Sequence, residues 1–231
     1  MKKQTLLWIM LSFLGLSSTT KVNAQDWPNL EKYQSANAEL PAPSTGENRV
    51  VFMGNSITEM WIGTHPEFFA ENPYVNRGIG GQTTPQMLLR FRQDVIDLNP
   101  KVVVILAGTN DIAGNTGPMT LEQIHDNILS MVELAKANGI KPIVCSVLPA
   151  YDYPWSPGLN PNIKIPKLNK MLKGMTEAQG VMYLDYFSEM VDEKNGMQSK
   201  LTTDEVHVTK AGYDVMEKMV KKAIDTVLKS E

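Results

Sequence analysis

The sequence predicts an α/β fold in which helices cover both faces of a five-stranded parallel sheet. Short apolar runs alternate with helix-like stretches along the chain, which is the order of repeated strand–helix–strand units. Each connection between parallel strands needs a covering element, and right-handed connections then give a doubly wound three-layer α/β/α sandwich. Ligands of such sandwiches bind beyond the carboxyl ends of the strands.

The five predicted strands are short, apolar or β-branched, and bounded by Gly, Pro or Asn. They cover residues 50–53, 74–79, 102–107, 140–147 and 181–184. The predicted helices carry apolar residues at helical spacing and cover residues 83–98, 120–138, 163–179 and 208–228. Thr120 and Gln123 form a capping-box pattern at the start of the second of these helices, and Gly139 follows its end.

The first 24 of the 231 residues have the pattern of a secretory signal peptide. Lys2 and Lys3 precede an apolar run over residues 6–16, and small residues lead to a predicted cleavage site after Ala24. The apolar run is shorter than the roughly 20 residues that a membrane span needs. We therefore expect a periplasmic or secreted protein with an N-terminal arm over residues 25–47 and a single domain over residues 48–231.

Charge and cysteine content narrow the classes of partner. The full chain has a net charge of −3, and loss of Lys2, Lys3 and Lys21 with the signal peptide lowers it to about −6. A mildly acidic surface does not attract nucleic acid or an anionic membrane, so neither is an expected partner. Cys145 is the sole cysteine, cannot form an internal disulfide, and lies in an apolar run that predicts burial. The oligomeric state is left open.

Two polar motifs contain the parts of a serine hydrolase. Ser56 follows the first predicted strand, and Asp204 and His207 lie three residues apart near the C-terminus. A serine hydroxyl is a weak nucleophile that needs an imidazole to take its proton and a carboxylate to orient that imidazole. His207 alone lies three residues after an aspartate, a spacing that one tight turn spans. His65 and His125 are expected to have structural roles.

Four short blocks resemble those of the SGNH, or GDSL-type, hydrolases and occur in the same order. They are residues 54–57 (GNSI), 76–83 (NRGIGGQT), 108–111 (GTND) and 204–207 (DEVH). The second block is similar to that of the platelet-activating-factor acetylhydrolase-like branch. The resemblance implies a flavodoxin-like three-layer sandwich and serine esterase chemistry, with no cofactor and no metal.

The resemblance also implies a role for each block. Ser56 would be the nucleophile, His207 the general base and then acid, and Asp204 the residue that orients the imidazole. The oxyanion hole would use the backbone N–H groups of Ser56 and Gly81 and the side-chain amide of Asn110. These residue types suit the roles, because a glycine lets the backbone approach the substrate oxygen and an amide donates to a developing oxyanion.

The first block departs from the family at one position, where Asn55 replaces the usual Asp. Asn55 keeps the hydrogen-bonding capacity and loses the charge, so we expect the loop geometry to survive. Thr58 stands where a G-x-S-x-G motif has its second glycine, which argues against a lipase-type α/β-hydrolase. Asp111, beside Asn110, is interpreted as structural.

Other glycines and histidines do not form further sites. Gly78 and Gly80 are interpreted as turn formers, because the glycine-rich stretch lacks the patterns of phosphate-binding loops. His207 has no second histidine at metal-ligand spacing, so no metal site is expected.

Aromatic residues beyond the strands are candidates for substrate contact. Tyr151, Tyr153 and Trp155 lie in a proline-rich loop, and Trp61 follows Ser56 by five residues. Such rings stack on sugars or line an acyl pocket.

We expect an exported, metal-independent serine esterase that hydrolyses small O-acyl esters, above all O-acetyl groups on carbohydrates. A small-molecule or glycan ester is therefore the expected partner. Two alternatives stay open: a lysophospholipase or thioesterase for longer acyl chains, and a carbohydrate-binding protein on a degenerate hydrolase scaffold. The complete triad pattern argues against the second alternative.

Overall fold

A central parallel sheet organises the computed structural model, which describes residues 25–230. Its strands are β1 (Val50–Gly54), β2 (Tyr74–Gly78), β3 (Val102–Leu106), β4 (Lys141–Cys145) and β5 (Met182–Leu184), in the order β2-β1-β3-β4-β5. All neighbouring pairs are parallel, so the predicted five-stranded parallel α/β sandwich is confirmed. The predicted signal peptide, residues 1–24, lies outside the described residues.

The direction of the connections reverses at β1. β2 pairs with one edge of β1, and the chain then returns past β1 so that β3 pairs with the opposite edge of β1. Gly54 at the end of β1 is level with Gly78 of β2 and Leu106 of β3. Residues that follow β1, β2 and β3 therefore meet at one edge, at the switch point where doubly wound folds bind ligands.

Helices cover both faces of the sheet. Within residues 25–230 they are α1 (Gln34–Glu39), α2 (Ser56–Thr64), α3 (Pro66–Ala70), α4 (Thr84–Asp94), α5 (Thr109–Ile112), α6 (Leu121–Ala137), α7 (Pro161–Gln179), α8 (Tyr186–Met190) and α9 (Lys210–Lys229). Two 3-10 turns cover Ile96–Leu98 and Ser199–Leu201. None of the described helices is long and apolar enough to cross a membrane.

Alternate residues of each strand pack into two separate cores. Val51 and Met53 of β1 face the layer of α4, α6 and α7, whereas Val50 and Phe52 face the layer of α2, α3, α8 and α9. Side chains of a strand alternate between faces, so a sheet covered on both sides needs a continuous apolar run. Full burial of one such side chain contributes about 1.5 to 3 kcal/mol.

Local signals at α6 and Cys145 agree with the structure. Thr120 Oγ1 accepts from the N–H of Gln123 at 3.2 Å, and Gln123 Oε1 accepts from the N–H of Thr120 at 2.9 Å. Both halves of the predicted capping box are therefore present. Cys145 is buried as predicted, and burial raises the pKa of its thiol.

Short helices are the main difference from the predicted elements. The N-terminal arm contains α1, and α2 and α3 lie between β1 and β2, where the sequence predicted no helix by periodicity. Helices of five to nine residues make too few turns for an apolar period to be visible. The predicted helix over residues 83–98 ends earlier, at Asp94, and a 3-10 turn follows it.

Candidate active site

Ser56 is the first residue of α2 and directly follows the loop after β1. Asn55 caps the helix, because its Oδ1 accepts from the N–H of Ile57 at 3.0 Å. The turn from β1 into α2 is thus capped by an uncharged amide. The N–H of a first helical residue has no acceptor in the helix and points toward the region that attracts negative charge.

Ser56, His207 and Asp204 form a continuous hydrogen-bonded chain. Ser56 Oγ lies 3.0 Å from His207 Nε2, and His207 Nδ1 lies 2.7 Å from Asp204 Oδ2. The turn that carries Asp204 and His207 precedes α9, and Glu205 within it adopts a left-handed φ of 74°. A carboxylate on Nδ1 keeps the proton there, so Nε2 presents its lone pair to the serine hydroxyl.

Asp204 is held in its charged form by the turn around it. Its partial burial acts to raise the pKa, but the hydrogen bond with the His207 side chain and those from two backbone N–H groups outweigh it and lower the pKa. The Oδ1 atom accepts from the N–H of Val206 at 3.1 Å and from the N–H of His207 at 2.6 Å. The carboxylate is therefore oriented before any substrate binds.

Gly81 and Asn110 follow β2 and β3, at the same end of the sheet as Ser56. Gly81 has a left-handed φ of 74°, and no acceptor for its N–H is found among residues 25–230. Asn110 lies in α5, directly beyond β3, and its Nδ2 donates to the carbonyl of Gln82 at 3.0 Å. An amide nitrogen carries two hydrogens, and no acceptor for the second one is found within residues 25–230.

Gly78 lies in β2 and not in a turn, whereas Gly80 lies, as predicted, in a turn that the hydrogen bond from Gln82 N–H to Ile79 O closes at 3.3 Å. Neither has a left-handed φ, so turn formation does not require glycine at these positions. A Cβ on Gly78 would lie 2.2 Å from the backbone nitrogen of Glu59, and a Cβ on Gly80 would lie 3.8 Å from the Ser56 Cβ. The missing side chains let α2 pack closely on the end of β2 and let residues 78–82 pass beside Ser56. We call residues 78–82 the oxyanion loop, after the role that the resemblance implies for Gly81.

Trp155 and Tyr151 are exposed, as substrate-contacting residues need to be. Trp155 is 45% exposed, its ring centroid lies 6.2 Å from that of His207, and its Nε1 donates to Asn115 Oδ1 at 3.2 Å. Tyr151 is 50% exposed and lines a groove of about 1350 Å³ that runs past Asp204. Lys194 and Lys200 also line this groove, so its walls combine charged side chains with apolar surface.

Trp61 and Tyr153, the other two candidates for substrate contact, are buried, although Tyr153 lies in the wall of the same groove. Trp61 is 2% exposed and stacks on Phe68 at a centroid distance of 4.9 Å, because α2 points it into the core. Tyr153 is fully buried, and its hydroxyl lies 2.9 Å from Thr109 Oγ1. Its ring lies 5.3 Å from that of Trp155, so Tyr153 supports Trp155 from below.

The other two histidines contact aspartate side chains and not Ser56. His65 Nε2 lies 2.9 Å from Asp214, and His125 Nδ1 lies 2.9 Å from Asp126. No cluster of three or more His, Cys, Asp or Glu side chains in the described part of the chain is arranged to hold a metal ion.

Asp111 is buried under the site and contacts the start of α4. Its Oδ1 accepts from Thr84 N–H at 2.9 Å and from Thr84 Oγ1 at 2.6 Å. Desolvation by burial raises the pKa of Asp111 to about 6 in spite of these hydrogen bonds. The carboxyl therefore joins the Asn110 segment to the start of α4, which follows the segment over residues 78–82.

Several residues near the site were missed by sequence reasoning. Glu59 contacts the oxyanion loop through Gly80 N–H, and Asn115 Nδ2 donates to Gly81 O at 3.1 Å. Arg90 is fully buried and donates to Gly54 O at 3.1 Å and to Gln82 Oε1 at 2.5 Å. No local sequence pattern predicts these contacts, because most of them join residues more than 20 positions apart in the chain. The contact between Arg90 and Gln82 is the exception.

A sequence model of the GDSL-like lipase/acylhydrolase family matches residues 52–215. The platelet-activating factor acetylhydrolase IB subunit alpha2 of Rattus norvegicus is 29% identical over 178 residues, which cover 72% of this chain and 72% of that protein. A lipoprotein of Bacillus subtilis is 40% identical over 78 residues, but the match covers only 32% of its length.

Solved structures show the same architecture. A protein of Bacteroides fragilis, described as a candidate acylhydrolase, is 50% identical, with a TM-score of 0.87, over 89% of this chain and 100% of that one. An acetyl-xylooligosaccharide esterase from Geobacillus is 19% identical, with a TM-score of 0.62, over 80% of this chain and 96% of that one. The second likeness concerns the fold alone.

Proposed function

The chain belongs to the GDSL-like lipase/acylhydrolase family of carboxylic ester hydrolases, and from this premise we propose that Ser56, His207 and Asp204 are its catalytic triad. We propose further that it is an exported esterase that removes small O-acyl groups, above all acetyl, from carbohydrates. The observation that carries the proposal is the chain of contacts from Ser56 Oγ to His207 Nε2 at 3.0 Å and from His207 Nδ1 to Asp204 Oδ2 at 2.7 Å.

In the first half-reaction Ser56 Oγ attacks the ester carbonyl while His207 Nε2 takes the hydroxyl proton. Asp204 stays ionised and stabilises the imidazolium that forms. His207 then gives the proton to the departing alkoxide, and the acyl group remains on Ser56. In the second half-reaction water attacks the acyl-enzyme, His207 takes a proton from the water, and Ser56 regains its hydroxyl hydrogen.

The negative charge on the carbonyl oxygen would be received by three donors. These are the N–H groups of Ser56 and Gly81 and the free hydrogen of the Asn110 amide, which come from the ends of β1, β2 and β3. Removal of one such donor from a serine hydrolase typically costs about 2.7 to 4 kcal/mol of transition-state stabilisation.

The preference for small acyl groups and a sugar acceptor rests on the surroundings of Ser56. The oxyanion loop passes close to the Ser56 Cβ, and the neighbouring groove is lined by polar residues together with the exposed ring of Tyr151. An exposed ring flanked by charged and hydroxyl side chains suits the apolar face of a sugar better than a flexible acyl chain. The rat relative is named as an acetylhydrolase and the Geobacillus protein as an acetyl-xylooligosaccharide esterase, which is consistent with an acetyl ester here.

The proposal is tested with p-nitrophenyl acetate and p-nitrophenyl octanoate, using the wild type and Ser56→Ala. We expect hydrolysis of the acetate ester to exceed that of the octanoate ester, and to fall by on the order of 10⁴-fold or more in the variant. Release of acetate from acetylated xylan and from O-acetylated sialic acid then identifies the acceptor. A steep preference for octanoate would favour a lysophospholipase or thioesterase instead.

A further inference from the structure

The oxyanion loop is held from outside the four sequence blocks by Glu59. The Gly80 N–H donates to Glu59 Oε2 at 2.6 Å, and Glu59 lies three residues after Ser56, nearly one turn further along α2. The next peptide group carries the Gly81 N–H, so the anchoring of Gly80 limits the directions in which that N–H can point. A Cβ on Gly80 would lie 2.9 Å from Glu59 Oε2, which shows how closely the carboxylate approaches the loop.

Glu59 is held in turn by Lys32 of the N-terminal arm. The ammonium group of Lys32 pairs with Glu59 Oε1, while Oε2 remains on Gly80. About a third of each of these two side chains is exposed, so neither belongs to the apolar core. The carboxylate therefore joins the arm to the loop beside the nucleophile.

The arm makes further contacts with the same loop. Gln82 Nε2 donates to the carbonyl of Pro28 at 2.7 Å, and the hydroxyl of Tyr33 donates to the carbonyl of Gly78. Burial and the nearby charge of Glu59 raise the pKa of Tyr33 to about 12, so this hydroxyl remains a donor at neutral pH. The arm thus contacts the loop at Gly78, through Glu59 at Gly80, and at Gln82.

The positive charge of Lys32 also offsets the negative charge of Glu59 near Ser56. A carboxylate one turn after Ser56 on α2 would oppose the negative charge that develops on the substrate oxygen. A paired ammonium group offsets that repulsion while the carboxylate keeps its hydrogen bond to Gly80.

We propose that Glu59 is a positioning residue for the oxyanion hole and that Lys32 neutralises it, which makes the N-terminal arm a functional part of the active site. The inference rests on the proposed function, because it assigns Gly81 N–H to the oxyanion. Glu59 does not touch the substrate; it acts through Gly80.

The test measures kcat and KM for p-nitrophenyl acetate in four variants. Glu59→Ala removes the acceptor, and we expect kcat to fall about 10- to 100-fold with KM within about twofold. Glu59→Gln keeps an oxygen for Gly80 and is expected to stay within about threefold of the wild type. Lys32→Met is expected to lower kcat about fivefold in the wild type and to have no effect in the Glu59→Gln background, where no charge needs to be offset.

A second readout needs no turnover. A boronic acid forms a tetrahedral adduct with an active serine and places an oxygen in the oxyanion hole, and its affinity can be followed by tryptophan fluorescence. We expect Glu59→Ala to weaken this affinity by about the same factor as kcat. Glu217→Ala and Lys221→Met are matched controls, because these residues form a similar surface pair, 2.8 Å apart, on α9. They should leave kcat, KM and boronate affinity unchanged.

The outcomes separate the inference from the proposed function. Activity that persists in Ser56→Ala contradicts the triad. Activity that depends on Ser56 but stays within twofold in Glu59→Ala, with boronate affinity unchanged, overturns the inference alone. Equal losses from Lys32→Met in both backgrounds, or a fall in melting temperature that accounts for the loss in Glu59→Ala, would also overturn it.

Discussion

Asp204 uses its two carboxylate oxygens for different tasks. Oδ2 contacts His207 Nδ1, and Oδ1 accepts from the backbone N–H groups of Val206 and His207. An amide at this position can serve only one of these tasks with its oxygen, because its nitrogen is a donor. If the oxygen stays on the backbone, the nitrogen faces His207 Nδ1 and favours the tautomer that cannot accept the Ser56 proton.

We therefore expect Asp204→Asn to lower kcat by about 10⁴-fold while the fold remains intact. Steady-state kinetics together with circular dichroism melting measure the two effects separately. A loss smaller than tenfold in a folded variant would mean that Asp204 does not orient His207 during catalysis.

Asp111 predicts a pH dependence of stability. Burial raises its pKa to about 6 in the folded protein, above the value of about 3.9 for an unfolded aspartate. A raised folded pKa means that the contribution to stability is full below about pH 4 and is lost as the pH rises through 6. The asparagine side chain of Asp111→Asn cannot ionise, but its oxygen can still accept from Thr84. The variant should therefore not lose stability as the pH rises.

The measurement is urea unfolding at pH 5 and at pH 7.5. Relative to the wild type, the free energy of unfolding of Asp111→Asn should rise between these pH values by on the order of 1 to 2 kcal/mol. Asp225→Asn, on an exposed face of α9, is the control and should show no such trend. Parallel pH profiles for wild type and Asp111→Asn would show that Asp111 is not the group responsible.

At the scale of elements, α2 depends on a close approach to β2. A Cβ on Gly78 would meet the backbone of Glu59 at 2.2 Å, and a backbone atom cannot rotate away as a side chain can. Gly78→Ala should therefore lower the free energy of unfolding by about 2 to 3 kcal/mol and displace the oxyanion loop.

A second glycine, in α2 itself, provides the matched control. Gly63 has open space around its Cβ position and no left-handed φ, so Gly63→Ala should raise stability by about 0.5 to 1 kcal/mol. Thermal unfolding of both variants measures the contrast. Equal effects of the two substitutions would contradict the close packing of α2 on β2.

The elements that the sequence predicted are those with long or dense apolar patterns. Five buried strands and the helices α4, α6, α7 and α9 were visible because each has a run or a period of sufficient length. The short helix α2 was not, and Trp61 was interpreted as a candidate for substrate contact. The spacing of Ile57 and Trp61, four residues apart, is the signal that places both on one buried face.

The residues of the candidate site were likewise predictable where a local pattern exists and not predictable where distant segments meet. Asp204 and His207 were predictable because they share one turn, and the four blocks place Ser56, Gly81 and Asn110 at the ends of adjacent strands. The contacts of Glu59 with Gly80 and of Asn115 with Gly81 join distant segments, and a single sequence carries no local pattern for them.

At the scale of the whole molecule, a buried ion pair connects the arm, the sheet and the oxyanion loop. Arg90 donates to Asp94 at 3.0 Å, and both side chains are fully buried. Arg90 also donates to Gly54 O and Gln82 Oε1, while Asp94 Oδ1 accepts from Asn37 of the arm at 2.7 Å. The pair therefore holds together the three segments that surround Ser56.

Removal of Arg90 alone should lower the free energy of unfolding far more than replacement of both Arg90 and Asp94 by apolar residues. We expect Arg90→Met to destabilise the protein by about 3 to 5 kcal/mol, because Asp94 would stay buried without its counter-charge. The double variant Arg90→Met/Asp94→Leu should recover at least half of that loss in chemical unfolding. A double variant that is less stable than Arg90→Met would show that the hydrogen bonds, and not the unpaired charge, dominate.

The central claim, that Ser56 is the nucleophile of this ester hydrolase, is tested most directly by covalent labelling. The protein is treated with a fluorophosphonate, which reacts with activated serines, and the adduct is located by peptide mass spectrometry in the wild type, Ser56→Ala and His207→Ala. We expect one adduct, on Ser56, that is absent in Ser56→Ala and formed far more slowly in His207→Ala. An adduct on another residue, or rapid labelling without His207, would contradict it.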